Sequence, residues 1–575
     1  MDIEIFEDRD AEKLVEDAEF GRKWEALYQR CSWASVFQGR DFILSWYDAY
    51  KGLYTLVVLT GHHPDGEMAG LFILAVNRES GRLSVAGDQL AEYQAWLAAP
   101  NDGNEFIEAA LNRLAARFPS RNLCLLFMLP EVPIDWAVTG SPWKNRCHVR
   151  TLPRGLMDIG DGASINETLR KKKRSKINRL KRLGEMRLDR IDRPEELEAV
   201  FDEIICYQAL RLRAVYHLPA APRNPLMKTY YLNLARRGGI LHATALRVGD
   251  QLASAQIHVH NRGQVLLGLI AHNPFYARYS PGELHLLMTG LELAREEIPT
   301  FDLTPGGQYK ERYATRYDEV HVVVVFFRRA DYWRNKIVRW SVEVGKSAML
   351  GLRVQPERVR AAASRMLELK SRWVRMKPAD LIKAAVGEIK RVCWHTEELA
   401  IYSCELDSRR EPAASPGMAR DCISDLLAYS PSDASQPPIT EFMKQAQENL
   451  EAGHHLYTRG REGRAVQYGW LMRPQNGKAL VVRGHEILLP PDSVLLTEFY
   501  TEAGEFFSPV FLSQMLFEAS GMYGAKRAFF CVSARNNAQR EVIENTGFRY
   551  DYSLFRKMVL GSSTTWSTHS AAEHA

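Results

Sequence analysis

The sequence predicts an α/β protein in which mixed, mostly antiparallel sheets are flanked by helices. Three observations carry this expectation. Alternating runs at Ile240–Val248, Gln251–His260 and Gln264–Ala271 are separated by Gly249-Asp250 and by Asn261-Arg262-Gly263, short turns that join antiparallel strands. The meander leads into a turn at Tyr279-Ser280-Pro281-Gly282-Glu283, an amphipathic helix, a short strand at Phe301–Thr304 and a Gly-Gly turn before Tyr309-Lys310. Far downstream, Ala452–Pro474 reads as another strand hairpin, around Arg461-Glu462-Gly463, and Cys531–Phe548 reads as strand, Asn-Asn helix start and Gly-Phe close.

In chain order, residues 1–150 alternate helix and strand signals. Trp46 lies in a helical stretch, Tyr54–Thr60 and Gly70–Val76 read as strands around a His-His-Pro-Asp-Gly turn, and Asn122–Met128 is a further apolar strand. Residues 151–335 open with a basic helix from about Ile165 to Arg187. A helical hairpin follows near 195–215 and 224–237, then the meander, and Val322–Phe327 suits a buried strand. Residues 336–392 are expected to form a basic helical connector, in which Trp333, Ile337, Trp340 and Val344 fall at helical spacing. Residues 393–562 form a C-terminal domain with a Ser-, Pro- and Asp-rich linker at Ser408–Pro438, and residues 563–575 are expected to be a disordered tail.

The 575 residues suffice for three or four domains. With 46% hydrophobic and 25% charged residues, composition is that of ordinary globular protein. The opening MDIEIFEDRDAEKLVEDAEF is acidic and lacks an apolar core, so no secretory leader is expected. No apolar run is long enough for a transmembrane helix. Eight scattered cysteines without a CxxC pair point away from structural zinc or a disulfide framework and toward a reducing cytoplasm. Net charge is only +5, yet Arg170–Arg182 holds nine Lys or Arg and no Asp or Glu.

The stretches FYARYSPGELHLL (Phe275–Leu287) and FDLTPGGQYKERYATR (Phe301–Arg316) resemble the core of the GNAT acyltransferases. More narrowly, they resemble the CelD-like acetyltransferases associated with cellulose and exopolysaccharide synthesis, relatives of the FemAB peptidyltransferases. VFQGRDFILSWYDAY (Val36–Tyr50) and VAGDQLAEYQAWLAAP (Val85–Pro100) extend the resemblance over roughly the first 330 residues. It implies tandem GNAT-like halves, 1–150 and 151–335, with the second holding an acyl-CoA site. CVSARNNAQREVIENTGF (Cys531–Phe548) resembles the late part of a further GNAT unit. There LTEFYTEAGEFFSPVFLSQML (Leu496–Leu516) keeps Gly504 and Ser508 but lacks the basic Gly-rich loop, and Glu502 and Glu505 would repel a pyrophosphate. Weak or absent acyl-CoA binding is therefore expected in this unit.

A strand, a glycine turn and a helix start leave backbone N–H groups and a positive dipole end where an anion can sit. Tyr279, Ser280, Pro281, Gly282 and Glu283 are thus the candidate contacts to acyl-CoA, acetyl-CoA first. Gly282 permits close approach, and Glu283 must point away from a phosphate. Asp302 alternates with apolar neighbours at a strand end and faces either a cleft or Lys310. Tyr309 can donate a proton and Lys310 can stabilise an anion. His258 and His260 share a strand face and His272 follows the next strand. His258 is the candidate base, and no third ligand makes a metal site of the pair.

The resemblance implies direct acyl transfer from acyl-CoA to an amine or hydroxyl of a small-molecule or glycan acceptor, without metal, in exopolysaccharide or envelope biosynthesis. FemAB-like aminoacyl transfer from charged tRNA, or a non-catalytic scaffold, are the alternatives. Cations at 170–182 form either a solvated face or a contact to a polyanion, an anionic surface or an acidic carrier. No aromatics interleave them, so base stacking is not suggested. The expected location is the cytoplasm, with the inner membrane face as a peripheral station.

Overall fold

The computed structural model describes residues 1–216, 224–338, 394–406, 417–430, 437–461, 464–474, 479–501, 508–559 and 562–568. The chain divides into two units: Met1–Ile204 with Asn224–His272 and Tyr279–Pro356, and Ile205–Arg223 with Asn273–Arg278 and Glu357–Ala575. The mixed α/β class with mostly antiparallel sheets is the observed one.

The first unit opens with β1 (Asp2–Glu7), α1 (Asp8–Glu16), α2 (Ala18–Arg30) and α3 (Arg40–Tyr50), then β2 (Tyr54–His62), β3 (Met68–Asn77), β4 (Leu83–Val85) and β5 (Leu97–Ala98). These strands form a sheet in the order β1-β2-β3-β4, with β5 also on β3. After α4 (Gly103–Arg117) come β6 (Asn122–Met128), α5 (Asp135–Val138), β7 (Cys147–Asp158), α6 (Ala163–Lys171), α7 (Arg174–Lys181), β8 (Met186–Ile191), α8 (Pro194–Val215, whose residues from Ile205 on fall in the second unit) and α9 (Pro225–Arg237). The meander follows as β9 (Leu241–Val248), β10 (Gln251–Asn261) and β11 (Gln264–His272), then α10 (Pro281–Arg295), β12 (Thr300–Pro305) and β13 (Arg316–Phe326). A second sheet runs β8-β9-β10-β11-β12-β7-β13-β6. Asn122–Met128, from the first 150 residues, thus completes the edge of the sheet built by the next 180. Two further ties join the sheets: Val36 N donates to Asn261 Oδ1 at 2.8 Å, and the Arg262 guanidinium donates to Cys31 O at 2.8 Å and Tyr28 O at 2.5 Å.

The expected single basic helix is two helices and a strand. Helix α6 ends at Lys171, α7 at Lys181, and Met186–Ile191 pairs with β9. Gly184 is where the chain turns: a Cβ there would lie 2.8 Å from Gly249 N, so only glycine lets the entering strand pass the β9–β10 turn.

The second unit contains β14 (Trp394–Glu405), β15 (Met418–Arg420), α11 (Ile423–Leu427), α12 (Ile439–Glu451), β16 (His455–Arg461), β17 (Arg464–Met472), β18 (Leu480–Val482), β19 (His485–Ile487), β20 (Ser493–Thr501), α13 (Pro509–Tyr523), β21 (Arg527–Ser533), α14 (Asn537–Asn545), β22 (Arg549–Val559) and β23 (Ser562–Ser567). Its main sheet runs β15-β16-β17-β20-β21-β14-β22-β23. Apart from its far edge strand, β23 here and the early β6 there, this is the wiring of the first unit's second sheet. In each, a three-strand antiparallel run enters a parallel pair, and an earlier strand, β7 or β14, inserts antiparallel beyond it. β11/β12 and β20/β21 are the parallel pairs among the described residues. Tyr457, Leu496, Phe511, Met515, Phe530 and Phe548 fill the core under the second unit's main sheet.

Two expectations change here. Part of the expected linker, Ser408–Pro438, is ordered as β15 and α11. Ser562–Ser567, expected in a tail, forms β23 against β22, with Trp566 stacked on Phe555 at 5.3 Å; the successive Thr564, Thr565 and Trp566 favour a strand. Residues 329–338 are helical, while 339–393, the bulk of the expected connector, lie outside the described residues. So do 502–507, which hold Glu502, Gly504 and Glu505 of the second unit's loop, and the final residues 569–575.

Candidate active site at a strand splay

The site begins with a bulge. β11 carries one extra residue opposite β10, between the Ile257–Leu269 and Val259–Leu266 pairs. Gly268 sits there, and a Cβ on it would lie 2.2 Å from Ile257 O. The parallel pairing of β11 with β12 covers only Gln264–Thr300, Val265–Phe301 and Leu266–Asp302. It therefore stops just before the bulge, although both strands continue. The two strands part, leaving the start of α10 on the β11 side and Asp302–Thr304 on the β12 side.

On the β12 side, Asp302 is 1% exposed. It accepts from Tyr93 Oη at 2.7 Å, from Thr304 N at 2.8 Å and from Arg154 Nη1 at 3.3 Å. Arg154 is also bound to Asp318. Burial pushes the Asp302 carboxyl up, against the pull of Arg154 and the hydrogen bonds. Thr304 stands at φ +57°, a left-handed conformation unusual for a β-branched residue. Two contacts hold it there: Asp302 takes its N–H, and Lys310 Nζ donates to its Oγ1 at 2.8 Å. Burial lowers the Lys310 pKa, offset by Glu92 and Asp302. Glu92, partly exposed, is pushed up to about 7, chiefly by burial; Lys310 works against the rise and Asp302 adds to it.

On the β11 side, Ser280 has φ +54° and precedes Pro281 at the first turn of α10. Glu283 N and Leu284 N both donate to Ser280 O at 3.1 Å. Glu283 does not stand alone. It accepts from Lys173 Nζ at 2.5 Å, Lys176 Nζ at 3.2 Å and Tyr313 Oη at 2.5 Å, and Lys176 also donates to Ser280 Oγ at 2.7 Å. Burial opposes its ionisation, but these donors outweigh burial and hold the carboxyl at about 2. The sequence expectation that Glu283 must avoid a phosphate is therefore answered by cations from α7 and its leading turn. Gly282 is lightly packed, its Cβ position 3.8 Å from His272 Nδ1 and 3.9 Å from Ile270 Cγ2.

One short segment reaches both sides. The 3-10 turn Gln308–Arg312 sends Lys310 to Thr304, and the following Tyr313 reaches Glu283. Tyr309, on the same turn, is 38% exposed. Asp302 and Lys310 are thus brought together near Glu92, and Ser280 and Glu283 are linked to the same turn through Tyr313. Tyr279 is half-buried at the end of the preceding 3-10 turn.

His258 is not available as a base. It is wholly buried, its Nδ1 accepts from Gly268 N at 3.2 Å and its Nε2 donates to Gln256 Oε1 at 2.9 Å. Burial, with His242 and His285 nearby, holds it neutral far below its ordinary value. Gln256 Nε2 in turn donates to Gly282 O at 3.2 Å, so His258 braces the bulge and the start of α10. The sequence reading overlooked Glu92, Tyr93, Arg154 and Thr304. Glu92-Tyr93, a carboxylate–phenol pair inside an otherwise mostly apolar run, was the visible signal. Among the described residues no cluster suits a metal ion, and no helix is long and apolar enough to cross a membrane.

Residues 168–315 match the family described as an acetyltransferase (GNAT) domain. The matched segment runs from within α6 through the Lys310 turn and so contains the start of α10, Asp302 and Lys310. No curated protein matches the chain. Among solved structures, it is similar to the C-terminal domain (DUF2156) of a putative lysylphosphatidylglycerol synthetase from Agrobacterium fabrum, at 11% identity over 58% of this chain and 96% of that one, TM-score 0.34. FemX is similar at 10% identity over 55% and 97%, TM-score 0.38. A tandem GNAT protein from the clavulanic acid biosynthesis pathway is similar at 13% identity over 66% and 100%, TM-score 0.21.

Proposed function

We propose that the first unit is an acyltransferase that moves an acyl group from a pantetheine thioester, acyl-CoA in its simplest form, to an amine or hydroxyl. The observation that carries this reading is the splay of β11 from β12 within the segment matching the acetyltransferase domain, with Glu92, Asp302 and Lys310 gathered at its β12 side. An extended thioester arm can lie between parted strands, because their inward backbone groups lack a neighbouring strand. The donor phosphate then falls at the start of α10, where Lys173 and Lys176 stand by Gly282.

In the proposed reaction, Glu92 takes the proton from the attacking amine or hydroxyl. A pKa near 7 leaves about half of it ionised at neutral pH and suits it to proton transfer. The acceptor forms a bond to the thioester carbon, the carbon–sulfur bond breaks, and the thiolate leaves. Lys310 provides positive charge for the developing anion, and the Tyr309 hydroxyl can return a proton to the sulfur. Asp302, tied to Tyr93, Arg154 and Thr304, positions Lys310 through Thr304 rather than touching substrate.

The likeness of Phe275–Leu287 and Phe301–Arg316 to CelD-like sequences suggests an acceptor in exopolysaccharide or envelope synthesis. The competing reading, aminoacyl transfer from charged tRNA, is supported by the exposed cations of α6 and α7 and predicts steeply salt-dependent tRNA binding. The test is thiol release from acetyl-CoA across a panel of amines and hydroxyls, with the wild type and Glu92→Gln. The reading expects acceptor-dependent release that falls at least a hundredfold in the variant. Release from no acyl-CoA with any acceptor, alongside tight tRNA binding, would replace it with the aminoacyl reading.

A further inference from the structure

We infer that the donor is delivered by an acidic carrier protein bearing a phosphopantetheine arm, which docks on the cationic face of α6 and α7. This rests on the acyl-transfer reading and names the form of its donor. Arg170, Lys171, Lys172, Arg174, Arg179, Lys181 and Arg182 are all exposed. Among them, one ion pair is seen, Lys171 with Glu167 at 2.6 Å. The patch therefore presents a large net positive charge to solvent.

Its neighbours on the same two-helix segment, Lys173 and Lys176, turn the other way and hold Glu283 and Ser280 at the start of α10. The cationic face thus borders the place proposed for the donor phosphate. A partner seated on it would be within reach of the splay.

The chemistry of the patch selects among polyanions. Residues 161–191 contain no Phe, Tyr or Trp, so no ring is available to stack on a nucleic-acid base. The apolar side chains Ile165, Leu169 and Leu180 are buried and Ile177 is half-buried, so Leu183 is the one exposed large apolar side chain of the segment and no continuous apolar stripe faces outward to enter a bilayer. A folded, acidic protein surface needs neither. The phosphate site itself is small. Pro281 has no N–H, Glu283 N and Leu284 N already bind Ser280 O, and two lysines face one carboxylate. That suits the single phosphate of a phosphopantetheine arm better than the three phosphates of CoA, with the remaining attraction supplied by the carrier's own acidic surface.

The experiment compares acetyl-CoA with an acetylated phosphopantetheinyl acyl carrier protein as donors to the full-length enzyme. It uses the wild type and the triple variant Arg174→Glu/Arg179→Glu/Lys181→Glu. The carrier should show kcat/KM at least tenfold above acetyl-CoA. That advantage should vanish in the triple variant and at 0.5 M salt, on the order of a tenfold loss or more. Turnover of acetyl-CoA should stay within about twofold in the variant, which also shows that it folds. Equal use of both donors, or a carrier reaction indifferent to the three reversals, would overturn the inference and leave the acyl-transfer reading intact. Charge-dependent binding of tRNA or of phosphatidylglycerol vesicles without a carrier advantage would assign the patch to that partner instead. Turnover of neither donor would overturn both readings.

Discussion

Replacing Glu92 by Gln tests the electrostatics of the site without any knowledge of the acceptor. The Glu92 carboxyl is raised from 4.5 to about 7, mainly by burial. At about 1.4 kcal/mol per pKa unit, the ionised form is disfavoured in the folded protein by about 3.5 kcal/mol. Solvent at its exposed edge screens part of this, and about 2 kcal/mol is expected to remain. The sign follows from proton linkage. Between pH 4.5 and 7 the folded state binds the proton more tightly than the unfolded one, so this group's contribution to stability falls as pH rises through that window. Gln cannot ionise and escapes the loss. Relative to the wild type, Glu92→Gln should therefore gain about 2 kcal/mol between pH 5 and pH 8. Trp24, Trp46, Trp96, Trp136 and Trp143 are buried in the first unit and Trp470 in the second, so tryptophan fluorescence during urea unfolding of a Trp470→Phe background follows chiefly the first unit. A difference between variant and wild type that is the same at both pH values would show that Glu92 titrates normally and is no base near neutrality.

Three further outcomes are expected. Gly268→Ala should destabilise the first unit by about 2–4 kcal/mol, because its Cβ meets backbone at 2.2 Å, whereas Gly282→Ala, with contacts no closer than 3.8 Å, should stay within about 1 kcal/mol; urea midpoints of both variants check this. The buried His242 and His285 are each lowered by burial to about 3, so between pH 6.5 and 3 the unfolded chain takes protons that the folded one refuses. Stability of the first unit should fall as pH drops below about 6.5, by roughly 2 kcal/mol or more per histidine at pH 4, and His242→Asn should flatten the slope of midpoint against pH. Thr304→Gly should relieve a φ of +57° yet remove the hydroxyl that holds Lys310, so thermal stability should change by less than about 1 kcal/mol while acyl transfer drops at least tenfold.

Much of the fold was legible because its signals are local. The meander turns, the glycine start of α10 and the Asn536 cap of α14 are each fixed by a few neighbouring residues, and the strands and helices fall where the alternation and caps place them. What was not legible depends on partners far away in sequence. The basic helix is divided because Gly184 must pass Gly249 and because Lys173 and Lys176 turn toward Glu283, about 110 residues on. β23 forms only because β22 offers it an edge. The same distinction governs the site. Asp302 and Lys310 were singled out from one short motif, but the residues that set their chemistry, Glu92, Tyr93 and Arg154, come from elements some 150 to 220 residues earlier. His258 misled for the complementary reason. Its type suggests a base, yet burial and the bulge at Gly268 turn both of its nitrogens inward.

The central claim is that the parted strands of the first unit hold a pantetheine thioester with its phosphate at the start of α10. Calorimetric titration of acetyl-CoA into the full-length protein and into Gly282→Trp tests it most directly. The Cβ of the new side chain starts in ordinary contact with His272 and Ile270, so the substitution adds bulk at the start of α10 without a Cβ clash. Saturable binding to the wild type with a stoichiometry near one, lost in the variant, is the predicted result. Binding of the same strength to both proteins would place the donor elsewhere, and no binding to the wild type would contradict the account.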